Sequence, residues 1–408
     1  MNLVKIVGYK IKRIIEYIVK RPFSRKFNIL LDPNKEFTVI YEIKPDTWED
    51  SYYPACFGHT QEQHLKIFKS AEYIYQTTNA VVSCNSDVVQ TKKGVYWYKY
   101  NEEEFLTWFK GIIDQNVVGY KKGSIIVRQY FSTKCIKGKV LSLLGVWDYH
   151  WGHFMYQYLP KLFYASEAGL LDDDISILIP CNVDHTILEI IKRHISNYPK
   201  SKLVFASLKV NYLCEDLYFA PTVQYAWGDY NFRLDYTSCM SQRVQQVINK
   251  YVVLPLVNEI KENKGSYDKI FLGRPSTRRT LKNFDEIHKY FKDRGFKDID
   301  PAKLSLTEKA DLFYHAKEVV ALYGSSLVNL IFGNQTKCLC FTNYKMSTDV
   351  GIYLQIRNYV SSYINVTGKD EDPSYHTNYF IPLGKVELAY NALLADMYKK
   401  IALVNKLK

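Results

Sequence analysis

Tyr267-Asp268-Lys269-Ile270-Phe271-Leu272-Gly273-Arg274-Pro275-Ser276-Thr277-Arg278-Arg279 opens the stretch on which the fold assignment turns. A short apolar run stops at a glycine and an arginine, and a basic turn follows. The spacing of Phe284, Ile287, Tyr290 and Phe291 predicts a helix over about 283–293, closed by Gly295 at the C′ position. Asn283 and Glu286 read as its capping box. A second helix is predicted over 306–316 after Asp300-Pro301, started by Ser305 or Thr307. The apolar strand 318–322 then leads into Tyr323-Gly324-Ser325-Ser326, predicted to open a helix through Leu327, Leu330 and Ile331. Lys337-Cys338-Leu339-Cys340-Phe341 completes the unit as another strand. Strands alternating with helices at this interval imply an α/β fold with a parallel sheet covered on both faces. Such sheets bind ligands at the carboxyl ends of their strands, where Arg274 and Gly324 are expected. Arg274, Arg278 and Arg279 supply guanidinium forks, and the helix start supplies backbone N–H groups, a combination suited to a diphosphate.

The same alternation extends upstream. A strand over 140–146 delivers Asp148, His150 and His153 into a turn before a helix reaching about Ala168. Strand 175–180, helix 185–196 and strand 203–205 continue the pattern, so this half also reads as doubly wound. Ahead of it stand predicted strands at 37–41, 80–84, 95–100 and 124–129, and a helix at about 62–75. A helix over 243–251 and the polar run 259–265 read as the link between halves, and an amphipathic helix over 386–404 ends the chain. The 408 residues suit two domains.

With 47% hydrophobic and 24% charged residues, the composition is that of a soluble globular protein. The 35 tyrosines suit stacking on sugar rings, and they equally suit an amino-acid bias of the source. The eight cysteines contain no CxxC pair and no finger-like histidine spacing, which argues against a zinc site and a dense disulfide framework and fits a reducing compartment. Within residues 1–26, eight Lys and Arg stand against Glu16, a net +7 of the chain's +12. Val4, Val7, Ile11, Ile14, Ile15 and Ile18 recur at helical spacing opposite that basic face. Charge interrupts the segment too often for a bilayer span, so it is expected to lie on an anionic membrane surface or to pack as a solvated first helix. No RRM, KH, zinc-finger or basic-zipper signature accompanies the basic charge, so nucleic acid is not an expected partner.

The order Leu272-Gly273-Arg274, Arg278-Arg279, Asn283, Glu286, Gly295-Phe296, Asp300-Pro301, Leu304-Ser305, Ala316, Val319-Val320, Gly324, Leu327, Asn329 and Phe332 resembles the C-terminal half of family 61 glycosyltransferases. Trp151-Gly152-His153-Phe154 followed by Leu159-Pro160-Lys161-Leu162 resembles the family's other hallmark, an aromatic-Gly-His-Phe segment leading to Leu-Pro-Arg-Leu. The likeness covers roughly 75–395. The chain departs from the family in three places: Tyr323-Gly324 for His-Gly, Cys340 for an acidic strand end, and Gln157 for Asp or Glu.

The resemblance implies a GT-B architecture of two Rossmann-like domains with a cleft between them, and inverting, metal-independent transfer from a nucleotide sugar, expected to be UDP-linked. The implied division is a membrane-associating helix 1–26, an acceptor-side domain 27–255, a donor-binding domain 266–383, and a helix 384–408 crossing back to the first domain. His153 is the expected base, since neutral imidazole accepts a proton near neutral pH, and the same side chain equally suits a helix cap. His150 and Asp148 are its substitutes, as base or as orienting group. Arg274, Arg278 and Arg279 are the expected donor-phosphate ligands, with Tyr323, Gly324, Ser325, Ser326 and Asn329 around them. Asp172-Asp173-Asp174 reads as a solvated turn, and neither a metal nor another cofactor is expected. The implied acceptor is a growing surface glycan, as in capsule or lipopolysaccharide assembly on the cytoplasmic face of a plasma membrane. A catalytically idle glycan- or nucleotide-binding subunit and a CMP-sugar transferase are the alternatives.

Overall fold

The computed structural model describes residues 23–44, 47–52, 54–57, 64–69, 72–97, 114–121, 123–221, 224–226, 238–240, 242–260, 267–273, 279–348, 351–372 and 377–395. The chain divides into two compact units, Met1–Pro45 with Ala71–Val223, and Asp46–Ser70 with Gln224–Lys408. Each is α/β.

An eight-stranded mixed sheet forms the N-terminal unit. Its parallel part runs Lys202–Ala206, Ile175–Pro180, Ser132–Ser142, Val210–Phe219, and the antiparallel strand Glu72–Ser83 follows. Ile175, Ile177, Leu178 and Ile179 are fully buried, as expected of a parallel strand covered on both faces. The long strand Ser132–Ser142 carries a bulge between Ile136 and Lys139, where Gly138 takes φ +73°. Phe37, Tyr75, Tyr96 and Phe219 meet on one face with every pair of ring centroids within 6.4 Å, tilted or edge-on as aromatic quadrupoles prefer. Helix His185–Ile195 starts at Asp184, whose carboxylate accepts the Thr186 N–H at 2.8 Å. It buries Ile187, Ile190, Ile191 and His194, the i, i+3, i+4, i+7 stripe of an amphipathic helix.

The C-terminal unit is built on a six-stranded, wholly parallel sheet ordered Lys297–Asp298, Lys269–Leu272, Glu318–Leu322, Thr336–Thr342, Val360–Thr367, Ala55–Phe57. Alternation sorts its side chains. Phe271, Val320, Leu339, Phe341, Ile364 and Val366 face one core with Ile287, Phe291, Val386, Ala389, Tyr390 and Leu393 of the helices Phe284–Lys292 and Leu383–Leu394. Helix Leu306–His315 begins with a full capping box: Ser305 Oγ accepts the Glu308 N–H, and Glu308 accepts the Ser305 N–H at 2.8 Å.

Several expectations change. Residues 64–75 are not helical: His64–Lys69 pairs antiparallel with Thr47–Tyr52, and Glu72–Ser83 is a long strand. Ser24–Lys26 belong to strand Ser24–Asn28, paired with Ser124–Arg128, rather than to a leader helix, and residues 1–22 lie outside the described residues. The division falls at Val223/Gln224 rather than near 255–266, because the helical stretch 242–259 belongs to the second unit. The described part of the last helix, Leu383–Leu394, packs on strands 336–342 and 360–367 of the C-terminal unit. Residues 396–408, on which the expected crossing back to the first domain depends, lie outside the described residues, as does most of the polar run 259–265 read as the link between halves. Asn283 makes no cap bond; its Nδ2 donates to Ile381 O at 2.8 Å, so it ties the helix start to the 380s segment. Gly295 is left-handed (φ +86°), one residue beyond the C′ position.

Phe291 is fully buried, and its ring meets Phe271, Phe296, Phe341 and Tyr390 with centroids 5.0 to 6.1 Å away. Phe291→Ala is expected to cost about 3–5 kcal/mol, read from urea unfolding of the full chain. A loss below about 1 kcal/mol would contradict this packing.

Candidate active-site residues in the two units

In the N-terminal sheet the chain steps outward from strand 132–142 to 175–180 and 202–206, then returns to the other side of 132–142 as strand 210–219. The point where the course reverses is where open α/β sheets bind ligands, outside the carboxyl ends of the strands. Ser142, Leu144, Phe219 and Ala220, at those ends, line a small pocket with Ser86, Asp87 and Lys161.

The turn after strand 132–142 is tightly constrained. A Cβ on Gly145 would lie 2.0 Å from Tyr158 Cε1, so no larger residue fits there while the ring stays. The Tyr158 hydroxyl donates to Val146 O at 2.5 Å. Trp147 is left-handed (φ +61°), and its N–H donates to Asn85 Oδ1 at 2.9 Å. Asp148, with no exposed surface, accepts N–H groups from Asn85 at 3.1 Å and Gly145 at 3.2 Å, both on Oδ2. Its Oδ1 has no hydrogen-bond partner among the described residues. Burial pushes the Asp148 carboxyl up to about 7, against the two amide donors that pull it down; the Asp87 charge adds to the rise and Lys161 opposes it. Such a group is poised to hold or release a proton at neutral pH.

His153 closes the short helix Trp151–His153. A π-helical turn, Phe154–Tyr158, follows, then helix Leu159–Glu167. Pro160 explains the wide turn: it has no N–H to offer, and its ring would collide with the carbonyl four residues back in an unbroken α-helix. The turn Asn249–Val253 before Leu254-Pro255 repeats the device. His153 is half-buried, its ring 4.6 Å from that of Trp147, with Nδ1 3.2 Å from Gln157 Oε1. With the amide oxygen as acceptor, imidazole carries its proton on Nδ1 and keeps its basic lone pair on Nε2. Gln157, standing where Asp or Glu was expected, thus meets Nδ1 with a neutral acceptor. His150 lies at the surface with its ring 6.1 Å from His153; the protein packed about it still lowers its pKa.

Sequence reasoning missed three residues of this site. Lys161 is 4% exposed, with Nζ 4.9 Å from the Tyr158 ring centroid. Asp87 lies beside the Tyr158 hydroxyl, at 3.5 Å, and Asp114 holds the preceding turn by accepting from Ser86 Oγ (3.1 Å) and Asp87 N (2.9 Å). A basic residue inside the buried helix 159–167 was the available signal for Lys161.

The C-terminal sheet has its own reversal, between strands 269–272 and 318–322, since the chain goes first to 297–298 and then returns to the other side. Arg274 and Arg278, expected here, lie outside the described residues. Arg279 is left-handed (φ +60°), half-buried, with Nη1 2.9 Å from Met346 Sδ; its Nε is buried with no partner among the described residues. A non-glycine residue in that region is costly and persists where neighbours enforce it. Asn378 and Tyr379 do so, bonding Thr280 N at 2.9 Å and Thr280 O at 3.1 Å.

Tyr323 is buried, and Gly324 is extended (φ 172°, ψ 178°), a conformation open to any residue. Ser325–Phe332 is a 3₁₀ helix rather than an α-helix. Ser325 is exposed, and Asn329 Nδ2 donates to Ser326 O at 2.8 Å while its Oδ1 is buried with no partner among the described residues. Cys340 is fully buried, its thiol pushed up to about 12 by burial, so it supplies neither the charge nor the basicity of a carboxylate. Among the described residues no group of three or more His, Cys, Asp or Glu is placed to hold a metal ion.

Two measurements test this account. An unfolded aspartate loses its proton near 3.8 and native Asp148 near 7, so the native state binds more protons between those values and stability falls as pH rises across that window. Asp148→Asn should remove this dependence and exceed the parent at pH 8 by on the order of 1–3 kcal/mol in urea unfolding; an unchanged pH profile would refute the assignment. Gln157→Glu should raise the His153 pKa by about one unit in an NMR titration of the ring, because a carboxylate favours imidazolium; no rise would show that Gln157 does not face Nδ1.

Residues 151–340 match the family model described as Glycosyltransferase 61. No curated protein matches the chain. The matched span starts at the Trp151-Gly152-His153 turn and ends on the strand carrying Cys340, so it takes in the candidate residues from His153 to Asn329. This match over part of the chain supports a family 61 glycosyltransferase, an enzyme class that takes a sugar donor and a glycan acceptor.

Proposed function

We propose that this enzyme is a GT-B transferase that moves a sugar from a UDP-linked donor to a growing cell-surface glycan, with inversion and without a metal. The N-terminal unit serves the acceptor and the C-terminal unit the donor. His153 Nε2 takes the acceptor hydroxyl's proton as the hydroxyl attacks the anomeric carbon from the face opposite the leaving diphosphate. The charge that grows on the diphosphate is met by Arg279, with Arg274 and Arg278 beside it in sequence, and by Ser325, Ser326 and Asn329. Asp148 holds the turn that carries His150 and His153.

Arg279 carries this reading most directly. It follows the strand at which the course of this sheet reverses, the kind of place where α/β sheets take nucleotides, and its Nε is buried with no partner among the described residues. A second reading, a catalytically idle nucleotide- or glycan-binding subunit, draws on Gln157 and Cys340, which put neutral groups where carboxylates are expected. A CMP-sugar donor is the remaining alternative. No helix among the described residues is long and apolar enough to cross a membrane. We place the enzyme peripherally on the inner face of a plasma membrane, held to anionic lipid through residues 1–26, in capsule or lipopolysaccharide assembly.

Arg279→Ala is expected to weaken nucleotide binding about ten- to hundredfold while leaving the Tm of the empty protein unchanged, in a thermal-shift panel of UDP, GDP and CMP. His153→Ala should fold normally and release no nucleoside diphosphate in the presence of acceptor. Diphosphate release by neither variant nor parent, with nucleotide binding intact, would favour the idle subunit.

A further inference from the structure

Phe131 is 89% exposed, more than any other large hydrophobic side chain among the described residues, and Phe23 is 47% exposed. The two rings pack edge-on at 4.7 Å, with 66° between their planes. Their backbones are held by the sheets: Gln129 N–H donates to Phe23 O at 2.6 Å, and strand Ser24–Asn28 runs along Ser124–Arg128 from the next residue on. Ser132 pairs with Val210, which sets Lys209 in the strand position beside Phe131 and 48%-exposed Leu208 just before it.

The stretches that carry and flank this apolar point bear charges of one sign. Arg25, Lys26, Lys134, Lys137 and Lys209 are all exposed, and none forms an ion pair with a described residue. Stretches 23–28, 128–139 and 207–211 contain no Asp or Glu, and the 22 residues leading into Phe23 contribute six more Lys and Arg against Glu16. Exposed aromatic rings flanked along the chain by basic residues alone match the chemistry of an anionic bilayer surface: rings enter the acyl boundary while Lys and Arg meet the headgroups. A protein partner of opposite charge would match the cations but gives no reason for rings that the fold leaves uncovered.

We infer that the Phe23–Phe131 pair, with Arg25, Lys134 and Lys209 about it, is a docking point by which the folded N-terminal unit enters an anionic lipid surface. This rests on the membrane reading above but assigns part of the binding to the folded body rather than to residues 1–22.

The test uses the full chain and sedimented vesicles of phosphatidylcholine with or without phosphatidylglycerol. Phe131→Ser should weaken partitioning to the anionic vesicles on the order of tenfold, equally at low and high salt, with Tm unchanged, since apolar burial is not screened. Lys134→Glu should weaken it at low salt only. Phe131→Trp should retain binding and shift its emission to the blue on addition of anionic vesicles. If Phe131→Ser partitions like the parent, the leader acts alone, and the inference falls while the membrane reading stands. If the parent ignores anionic vesicles, both fall. A Tm drop in Phe131→Ser with no blue shift for Phe131→Trp would mean that residues 1–22 or another part of the chain covers the ring, and would also overturn the proposal.

Discussion

A single carboxylate without access to water, Asp148, ties together the two turns from which the N-terminal site is made. It takes one amide from the loop after strand 72–83 and one from the turn after strand 132–142, so two segments sixty residues apart in the chain close on the same oxygen. Asn85 returns the bond by accepting from Trp147. Burying an acid in this way is unfavourable unless it is bonded or neutral. The position of His153, the left-handed Trp147 and the close approach of Tyr158 to Gly145 all depend on the turn this carboxylate holds.

Both units solve the same topological problem. A strand feeds helices and strands to one side, and the chain then returns to the other side, leaving loops free to diverge at the carboxyl ends. In the first unit those loops carry acid, histidine and a buried lysine. In the second they carry arginine and small polar residues at a 3₁₀ start. The two sheets thus present loops of different chemistry, and the proposed division between proton transfer and anion binding draws on that difference.

Much of this was legible in the chain. Runs such as 175–180, 269–272 and 318–322 are short, apolar and bounded by turn residues, and they became strands within a residue or so of expectation. Residues 62–75 misled because Leu65, Ile67 and Phe68 satisfy a helical stripe about as well as an alternating one, and only pairing with 47–52 decides between them. Strand 210–219 was passed over because Asn211, Glu215 and Asp216 break its apolar run, although Asp216 is bonded to Gln76 on the neighbouring strand at 2.6 Å. His153 and Arg279 could be singled out locally, and Lys161 carried a local signal as a basic residue inside a buried helix. Asp87 and Asp114 did not, because their roles come from contacts 27 and 71 residues along the chain that no local pattern encodes. The left-handed backbone at Arg279 was equally invisible, being imposed by the 378–379 segment.

The π turn at Phe154–Tyr158 makes this part of the chain count its residues. An α-helix advances about 100° per residue, so one residue more or fewer between His153 and Lys161 would swing the lysine by more than a quarter of a turn out of its buried place against Tyr158. Most helices on a protein surface absorb such a change by sliding in register at their ends. Here the proline fixes where the wide turn must fall, and the lysine behind it is walled in by protein, so length variation among related chains should be confined to the loops before Trp151 and after Glu167.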